Sequence, residues 1–113
     1  MKTIFAIILA VASINAMANN SYCDNRPTRN DAINCYEQAV SMNNANIQAA
    51  YRKLKPLMTD KEFADLRADG RDWGTEVNNR CTGDLLCLYD STRDRVNWMN
   101  RQVHDYSIRV AKH

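Results

Sequence analysis

The cysteines constrain this fold more than any other feature of the sequence. There are four, and they form two close pairs, Cys23 with Cys35 and Cys81 with Cys87, separated by the cysteine-free residues 36–80. Three pairings of four cysteines are possible. In the chain-entropy model a long closure such as Cys23–Cys87 would stabilise the fold by about 4.3 kcal/mol, against about 2.9 and 2.4 kcal/mol for the two local pairs. Short loops close most readily, however, so we predict the local disulfides Cys23–Cys35 and Cys81–Cys87.

The first residues carry the features of a secretory signal peptide. Lys2 precedes an unbroken apolar stretch, and small residues follow it as far as Ala18. The apolar stretch is too short to cross a bilayer, which needs about 20 residues. We therefore predict a signal peptide over residues 1–18, cleaved after Ala18, and a single periplasmic or secreted domain over residues 19–113. Such compartments are oxidising, which favours disulfides.

The charge of the chain is nearly balanced. It has 15 basic and 13 acidic residues, a net charge of +2 with neutral histidines, and cleavage would remove one further base, Lys2. Such a balance produces no field strong enough to gather nucleic acid or anionic lipid. Because acids are also interleaved with the arginines, we predict no nucleic-acid partner and no membrane association after cleavage.

Caps and apolar spacing predict a first helix before residue 56. Thr28 can cap its start. Pro56 removes a hydrogen-bond donor, so the helix should end or kink there. Its buried face repeats every seven residues, at Ile33, Val40, Ile47 and Leu54.

A second helix should follow at once. Thr59 and Glu62 have the spacing of a capping box, in which each side chain accepts a hydrogen bond from the other residue's backbone. Gly70 falls on the buried face, where its missing side chain is expected to make room for the indole of Trp73. The predicted face is Phe63, Leu66, Gly70, Trp73 and Val77.

The third helix has the most regular pattern in the chain. Gly83 can make a turn and Asp84 can cap the helix, and we expect Leu85 and Leu88 to enter the core. The apolar face is Leu85, Tyr89, Thr92, Val96, Met99, Val103, Tyr106 and Val110. Short connections make neighbouring helices antiparallel. The prediction is an all-α fold, a small up-down-up three-helix bundle or a helical hairpin variant, held by two disulfides.

The residues around the cysteines carry a family resemblance. In the first half they are Cys23, Thr28, Cys35, Asn44, Ile47, Gln48 and Tyr51. In the second half they are Trp73, Cys81, Cys87, Thr92, Arg95, Val96 and Met99. Together they resemble the "C…T…C…D-x-x-L-N-x-x-Y" opening and the "C…T-x-x-R-[IV]-x-x-L" ending of the LprI-like lysozyme inhibitor family, which comprises small exported bacterial proteins. The resemblance spans nearly the whole mature chain and implies inhibition of a muramidase.

The chain departs from the family pattern mostly at polar positions. The family's usual Asp, Leu and Asn appear here as Asn44, Ile47 and Gln48. The Gln-Arg before the tryptophan appears as Gly70 and Arg71, and the Arg-Asp after it as Val77 and Asn78. The cysteine and aromatic positions, which hold a structure together, are retained.

Few residues suggest catalytic or metal chemistry. The chain has no CxxC pair, and its only histidines are His104 and His113, so we predict no metal site. Four paired cysteines would leave no thiolate for catalysis. We therefore predict a protein that is not an enzyme and has no cofactor.

Two carboxylate pairs, Asp65 with Asp69 and Asp90 with Asp94, lie one helical turn apart. Paired carboxylates share the acid and base roles in glycosidases. Here arginines stand beside both pairs, and the ordinary explanation is a mixed, solvated face without a raised pKa. These arginines are Arg67, Arg71, Arg93 and Arg95.

Trp98 is a large aromatic residue that lies outside the apolar face of the third helix. It is rotated by about 100° from Met99 and therefore leaves the buried face. Tryptophan and arginine are enriched at the energetic centres of interfaces, so one hypothesis is that Trp98 anchors a partner. The alternative is that the segment around Tyr22 or the turn at Pro56 covers the indole. Polar residues along the same ridge complete the hypothetical surface: Asp94, Arg101 and Asp105.

These features favour an exported, non-catalytic protein that occludes a lysozyme or another peptidoglycan hydrolase stoichiometrically. The alternative function is that of a periplasmic envelope interaction, structural or toxin-immunity protein with a non-lysozyme partner. Replacing Trp98 by alanine separates a binding role from a folding role.

Overall fold

The computed structural model describes residues 23–112, so the predicted signal peptide and Tyr22 lie outside the described residues. Three helices make up most of this part of the chain: α1 (Arg29–Leu54), α2 (Asp60–Arg80) and α3 (Leu85–Ala111). A short 3-10 helix, Lys55–Leu57, follows α1. Residues 23–112 contain no strand, and the predicted all-α class with two disulfides is confirmed.

The predicted helix starts are formed by the expected caps. The Thr59 hydroxyl accepts a hydrogen bond from the Glu62 amide at 3.1 Å, and the Glu62 carboxylate accepts one from the Thr59 amide at 2.8 Å. At the starts of α1 and α3 the Thr28 and Asp84 side chains each accept one backbone hydrogen bond, from Asp31 and Cys87, at 3.1 Å. Pro56 ends α1 as predicted, because the chain tightens there into the 3-10 helix.

The chain divides into two compact units, one ending at Tyr36 and the other beginning at Glu37. In the described part of the first unit, the Cys23–Cys35 disulfide joins Cα atoms 5.7 Å apart. The Tyr36 hydroxyl donates a hydrogen bond to Asp24 at 3.0 Å. The disulfide confirms the first predicted pairing, Cys23–Cys35.

The second unit holds a hydrophobic core to which all three helices contribute. Half-buried apolar residues such as Val96 and Trp98 pack around this core. The Cys81–Cys87 disulfide closes the turn between α2 and α3, where Gly83 adopts a φ of 73°. This is the second predicted pairing. The buried core residues are Ile47, Ala50 and Leu54 of α1, Leu66 of α2 and Met99 of α3.

The packing differs from the expected faces at four places. Ile33, on the predicted buried face of α1, is 36% exposed. Leu85 and Leu88 are only half-buried and lie outside the core cluster. Val110, in the last turn of α3, is 48% exposed. The space at Gly70 is occupied by the hydroxyl of Tyr51, which a Cβ atom would overlap, and not by the indole of Trp73.

Candidate protein-interaction site

Arg95 is the centre of a polar and aromatic cluster between α2 and α3. Its side chain is only 9% exposed, and its Nη2 donates a hydrogen bond to Asp69 at 2.8 Å. The guanidinium carbon lies 4.3 Å from the ring centroid of Trp98 and 5.2 Å from that of Trp73. At these distances both rings attract the cation. The prediction that Arg95 belongs to a solvated face is therefore wrong, because an ion pair and two indoles take the place of water.

Helical spacing brings the four side chains of this cluster together. Arg95 and Trp98 are three residues apart on α3, and Asp69 and Trp73 are four residues apart on α2. Residues at these spacings share one side of a helix. Each helix therefore presents one aromatic and one charged side chain to the other.

Trp98 is neither fully exposed nor fully covered. It packs against the hydrophobic core and also lines two open hollows on the surface. Met58, which follows the Pro56 turn, lines the second of these hollows. The first hollow, of about 210 Å³, is lined by Trp73, Arg80, Ser91, Asp94, Arg95 and Trp98. The second, of about 270 Å³, is lined by Met58, Glu62, Asp65, Leu66, Asp69, Trp98, Gln102 and Tyr106.

The structure brings only part of the predicted surface together. Asp94 lines the first hollow with Trp98 and accepts a hydrogen bond from Arg93 at 3.3 Å. Arg101 and Asp105 are exposed on α3 and line neither hollow.

The cluster also contains three residues that the predicted surface lacked: Arg95, Asp69 and Trp73. The family resemblance already singled out Arg95 and Trp73. The sequence pattern identifies Asp69 only as one member of a carboxylate pair.

Carboxylates dominate the charge of the second hollow. Glu62, Asp65 and Asp69 all line it. Hydrogen bonds from Arg109, and from the Thr59 backbone, lower the pKa of Glu62 to about 2. In residues 23–112 no cluster of three histidine, cysteine or acidic side chains could hold a metal ion. Within the same residues no helix is long and apolar enough to cross a membrane.

Comparison with known proteins identifies one family. The model of the family described as "Lysozyme inhibitor LprI" matches residues 23–99. The matched range includes both disulfides, all of α1 and α2, and α3 as far as Met99. Neither a curated protein nor a solved structure gives a significant match.

Proposed function

The chain belongs to the LprI family of lysozyme inhibitors, and we propose that it is an exported, non-catalytic protein that binds a muramidase stoichiometrically and blocks its action. The observation that carries this proposal is the family match itself. It runs from the first disulfide into the last helix, and so covers the elements that form the Arg95 cluster.

Binding without turnover is supported by how the reactive side chains are used. Both cysteine pairs are oxidised to disulfides, and a disulfide sulfur is not a thiolate nucleophile. The carboxylates with glycosidase-like spacing are engaged by cations: Asp65 by Lys61, Asp69 by Arg95, and Asp90 and Asp94 by Arg93.

Export is supported by the same disulfides, which persist in oxidising compartments. In this proposal residues 1–18 are a signal peptide cleaved after Ala18, and the mature protein acts in the periplasm or outside the cell. A peptidoglycan hydrolase would meet it there.

The surface proposed to contact the muramidase is centred on Trp98. An indole that forms the wall of two hollows offers a partner both apolar area and a hydrogen-bond donor. Trp98 is also held in place by the Arg95 guanidinium, which limits the side-chain entropy lost on binding. Asp94, Arg101 and Asp105 lie along the same helix and would form the polar rim.

The test is a peptidoglycan clearing assay with purified protein and lysozymes of several types. We expect clearing to slow in proportion to added protein and to stop near a one-to-one ratio for the cognate lysozyme. Unchanged clearing at saturating protein with every lysozyme type would reject inhibition.

The role of Trp98 is tested with Trp98→Ala and a matched control, Val96→Ala. Both side chains are half-buried and pack against the same core, but Val96 lines neither hollow beside Trp98. We expect both variants to lower the melting temperature and only Trp98→Ala to weaken inhibition, by about tenfold or more. Equal inhibition by the two variants, measured well below their melting temperatures, would assign Trp98 to the fold.

A further inference from the structure

A third hollow, between α1 and α2, differs from the hollows beside Trp98 in its charge. Its volume is about 210 Å³. No acidic side chain is among its lining residues, which are Gln48, Tyr51, Arg67, Gly70 and Arg71. Every side chain that lines it, apart from Gly70, can donate a hydrogen bond.

The two arginines of this hollow have their donors free for a ligand. Within residues 23–112 neither Arg67 nor Arg71 makes a hydrogen bond or ion pair, whereas Arg80, Arg93, Arg95 and Arg109 are all engaged by polar side chains. Arg67 is nonetheless positioned, because its guanidinium carbon lies 5.9 Å from the Tyr51 ring centroid and 6.0 Å from that of Phe63. A guanidinium held over aromatic rings keeps its N–H groups available at its edge.

The Tyr51 hydroxyl reaches this hollow because residue 70 is glycine. A Cβ at position 70 would overlap that hydroxyl. The Tyr51 ring is held edge-on to Phe63, with centroids 6.3 Å apart. Lys55 lies 5.8 Å from the same Phe63 ring and adds positive charge nearby.

This combination of groups selects an anion. Arg67 and Arg71 are four residues apart on α2, so their Cβ atoms lie about 5–6 Å apart. Each guanidinium can grip a planar carboxylate with two parallel hydrogen bonds. The first hollow beside Trp98 contains two arginines, but both already interact with polar side chains of the protein. The second contains three carboxylates and no arginine.

We propose that Arg67, Arg71 and the Tyr51 hydroxyl form a binding site for carboxylate side chains on the surface of the muramidase. The identity of the partner rests on the proposed function, whereas the binding of a carboxylate in the hollow does not. Docking here adds a charge-based contact between α1 and α2 to the Trp98 surface between α2 and α3.

The carboxylate site is tested first without a muramidase. The mature, disulfide-bonded chain is titrated with succinate while the side-chain Nε–Hε signals of its arginines are followed by NMR. We expect the signals of Arg67 and Arg71 to shift and that of Arg101 to stay. Absence of shifts at Arg67 and Arg71, or shifts with inorganic phosphate but not with succinate, would overturn the carboxylate site.

Docking is tested in the clearing assay with Arg67→Gln/Arg71→Gln. The control is Arg29→Gln/Lys53→Gln, which removes the same charge from exposed positions outside the hollow. We expect the hollow variant to inhibit about ten- to a hundredfold less well and to lose most of the salt dependence of inhibition, with the control unchanged. Arg71→Gln alone, at an exposed side chain, should show part of the loss without a change in melting temperature.

The outcomes separate the two proposals. Undiminished inhibition by the hollow variant would overturn docking through this hollow and leave the proposed function standing. Failure of the unmodified protein to inhibit any lysozyme would reject the proposed function and the muramidase as partner, and the succinate titration would still decide the carboxylate site.

Discussion

Arg95 is a nearly buried cation that interacts with one carboxylate and two aromatic rings. Asp69 accepts its hydrogen bond, and Trp73 and Trp98 offer their ring faces. Its Nε is buried without an acceptor within residues 23–112. Removing a charge from water is costly unless partners replace the solvent, so Asp69 supplies most of the polar compensation.

Asp69→Asn should therefore destabilise the fold. The substitution leaves Arg95 buried with its ion pair lost, but Asp69 itself is 57% exposed and water can partly replace it. We expect the free energy of unfolding to fall by about 1–2 kcal/mol in urea denaturation.

Asp65→Asn is the matched control for that measurement. Its partner Lys61 is 85% exposed and Asp65 is 67% exposed, so loss of this surface pair should cost no more than about 0.5 kcal/mol. Equal effects of the two substitutions would contradict a structural role for the Asp69–Arg95 pair.

The burial of Arg95 could be predicted from the sequence, whereas the residues that interact with it could not. Arg95 lies three residues after Thr92 and four before Met99, and both of these are buried on α3. Side chains at these spacings share a face, so the spacing alone indicates burial of Arg95, although its charge led us to predict a solvated position. Asp69 and Trp73 could not be identified as its neighbours, because the rotation of α2 against α3 is set by packing between the helices.

At the scale of the helix, α2 contains two interior glycines in different surroundings. A Cβ at Gly70 would overlap the Tyr51 hydroxyl, whereas a Cβ at Gly74 meets no atom within 4 Å. Glycine in a helix interior costs about 1 kcal/mol relative to alanine. Only at position 70 does close packing offset that cost.

Alanine substitution should therefore have opposite effects at the two positions. We expect Gly74→Ala to raise the free energy of unfolding by about 1 kcal/mol. Gly70→Ala should lower it by about 1–3 kcal/mol, because the added methyl forces Tyr51 out of place. Thermal unfolding monitored by circular dichroism at 222 nm measures both.

Removing the Tyr51 hydroxyl tests whether it causes the expected effect of Gly70→Ala. In a Tyr51→Phe background the hydroxyl is absent, so Gly70→Ala should lose most of its penalty, and a double-mutant cycle should show coupling between the two positions. An additive cycle would show that Gly70 is not required for the approach of Tyr51.

Element boundaries were predictable because their causes are local. The Thr59–Glu62 capping box, the Asp84 cap and the break at Pro56 each depend on residues within one turn, and all appear where the sequence placed them. The residue opposite Gly70 was not predictable, because Tyr51 belongs to another helix.

At the scale of the whole chain, the sequence predicted the covalent framework better than the surface. Each disulfide closes a short loop, over 12 and 6 residues of sequence separation, and the entropy lost on closing a loop can be estimated from the sequence separation. The hollows beside Trp98 depend on side chains from two helices and from the turn before α2. A periodic pattern within one helix identifies the face that is buried but not the shape of the surface around it.

At the start of α2, the end opposite to the Cys81–Cys87 disulfide, Arg109 joins distant parts of the second unit. Arg109 of α3 donates hydrogen bonds to the two Glu62 carboxylate oxygens at 2.7 and 2.9 Å and to the Leu57 carbonyl at 3.0 Å. The end of α3 is thus held to the start of α2 and to the turn that follows α1. Because Glu62 also caps α2, the Glu62–Arg109 pair joins α3 to the start of α2, and Arg109 adds the contact to the turn after α1.

This connection should make the stability of the protein sensitive to acid in a defined range. The pKa of Glu62 is lowered from 4.5 to about 2 in the folded chain, so between these values the unfolded chain binds more protons. Stability contributed by the ionised carboxylate is therefore complete above about pH 4.5 and lost as the pH falls through about 2.

Glu62→Gln tests this, because glutamine can still accept the capping hydrogen bond from Thr59 while removing the charge that Arg109 requires. Urea denaturation at pH 7, 4, 3 and 2 should show the variant less stable at pH 7, with a difference that shrinks as the pH falls and vanishes near pH 2. The control is Glu76→Gln, at an exposed glutamate of the same helix that makes no ion pair within residues 23–112. A difference between Glu62→Gln and the unmodified protein that stays constant from pH 7 to 2 would show that the charge of Glu62 does not hold α3 to α2.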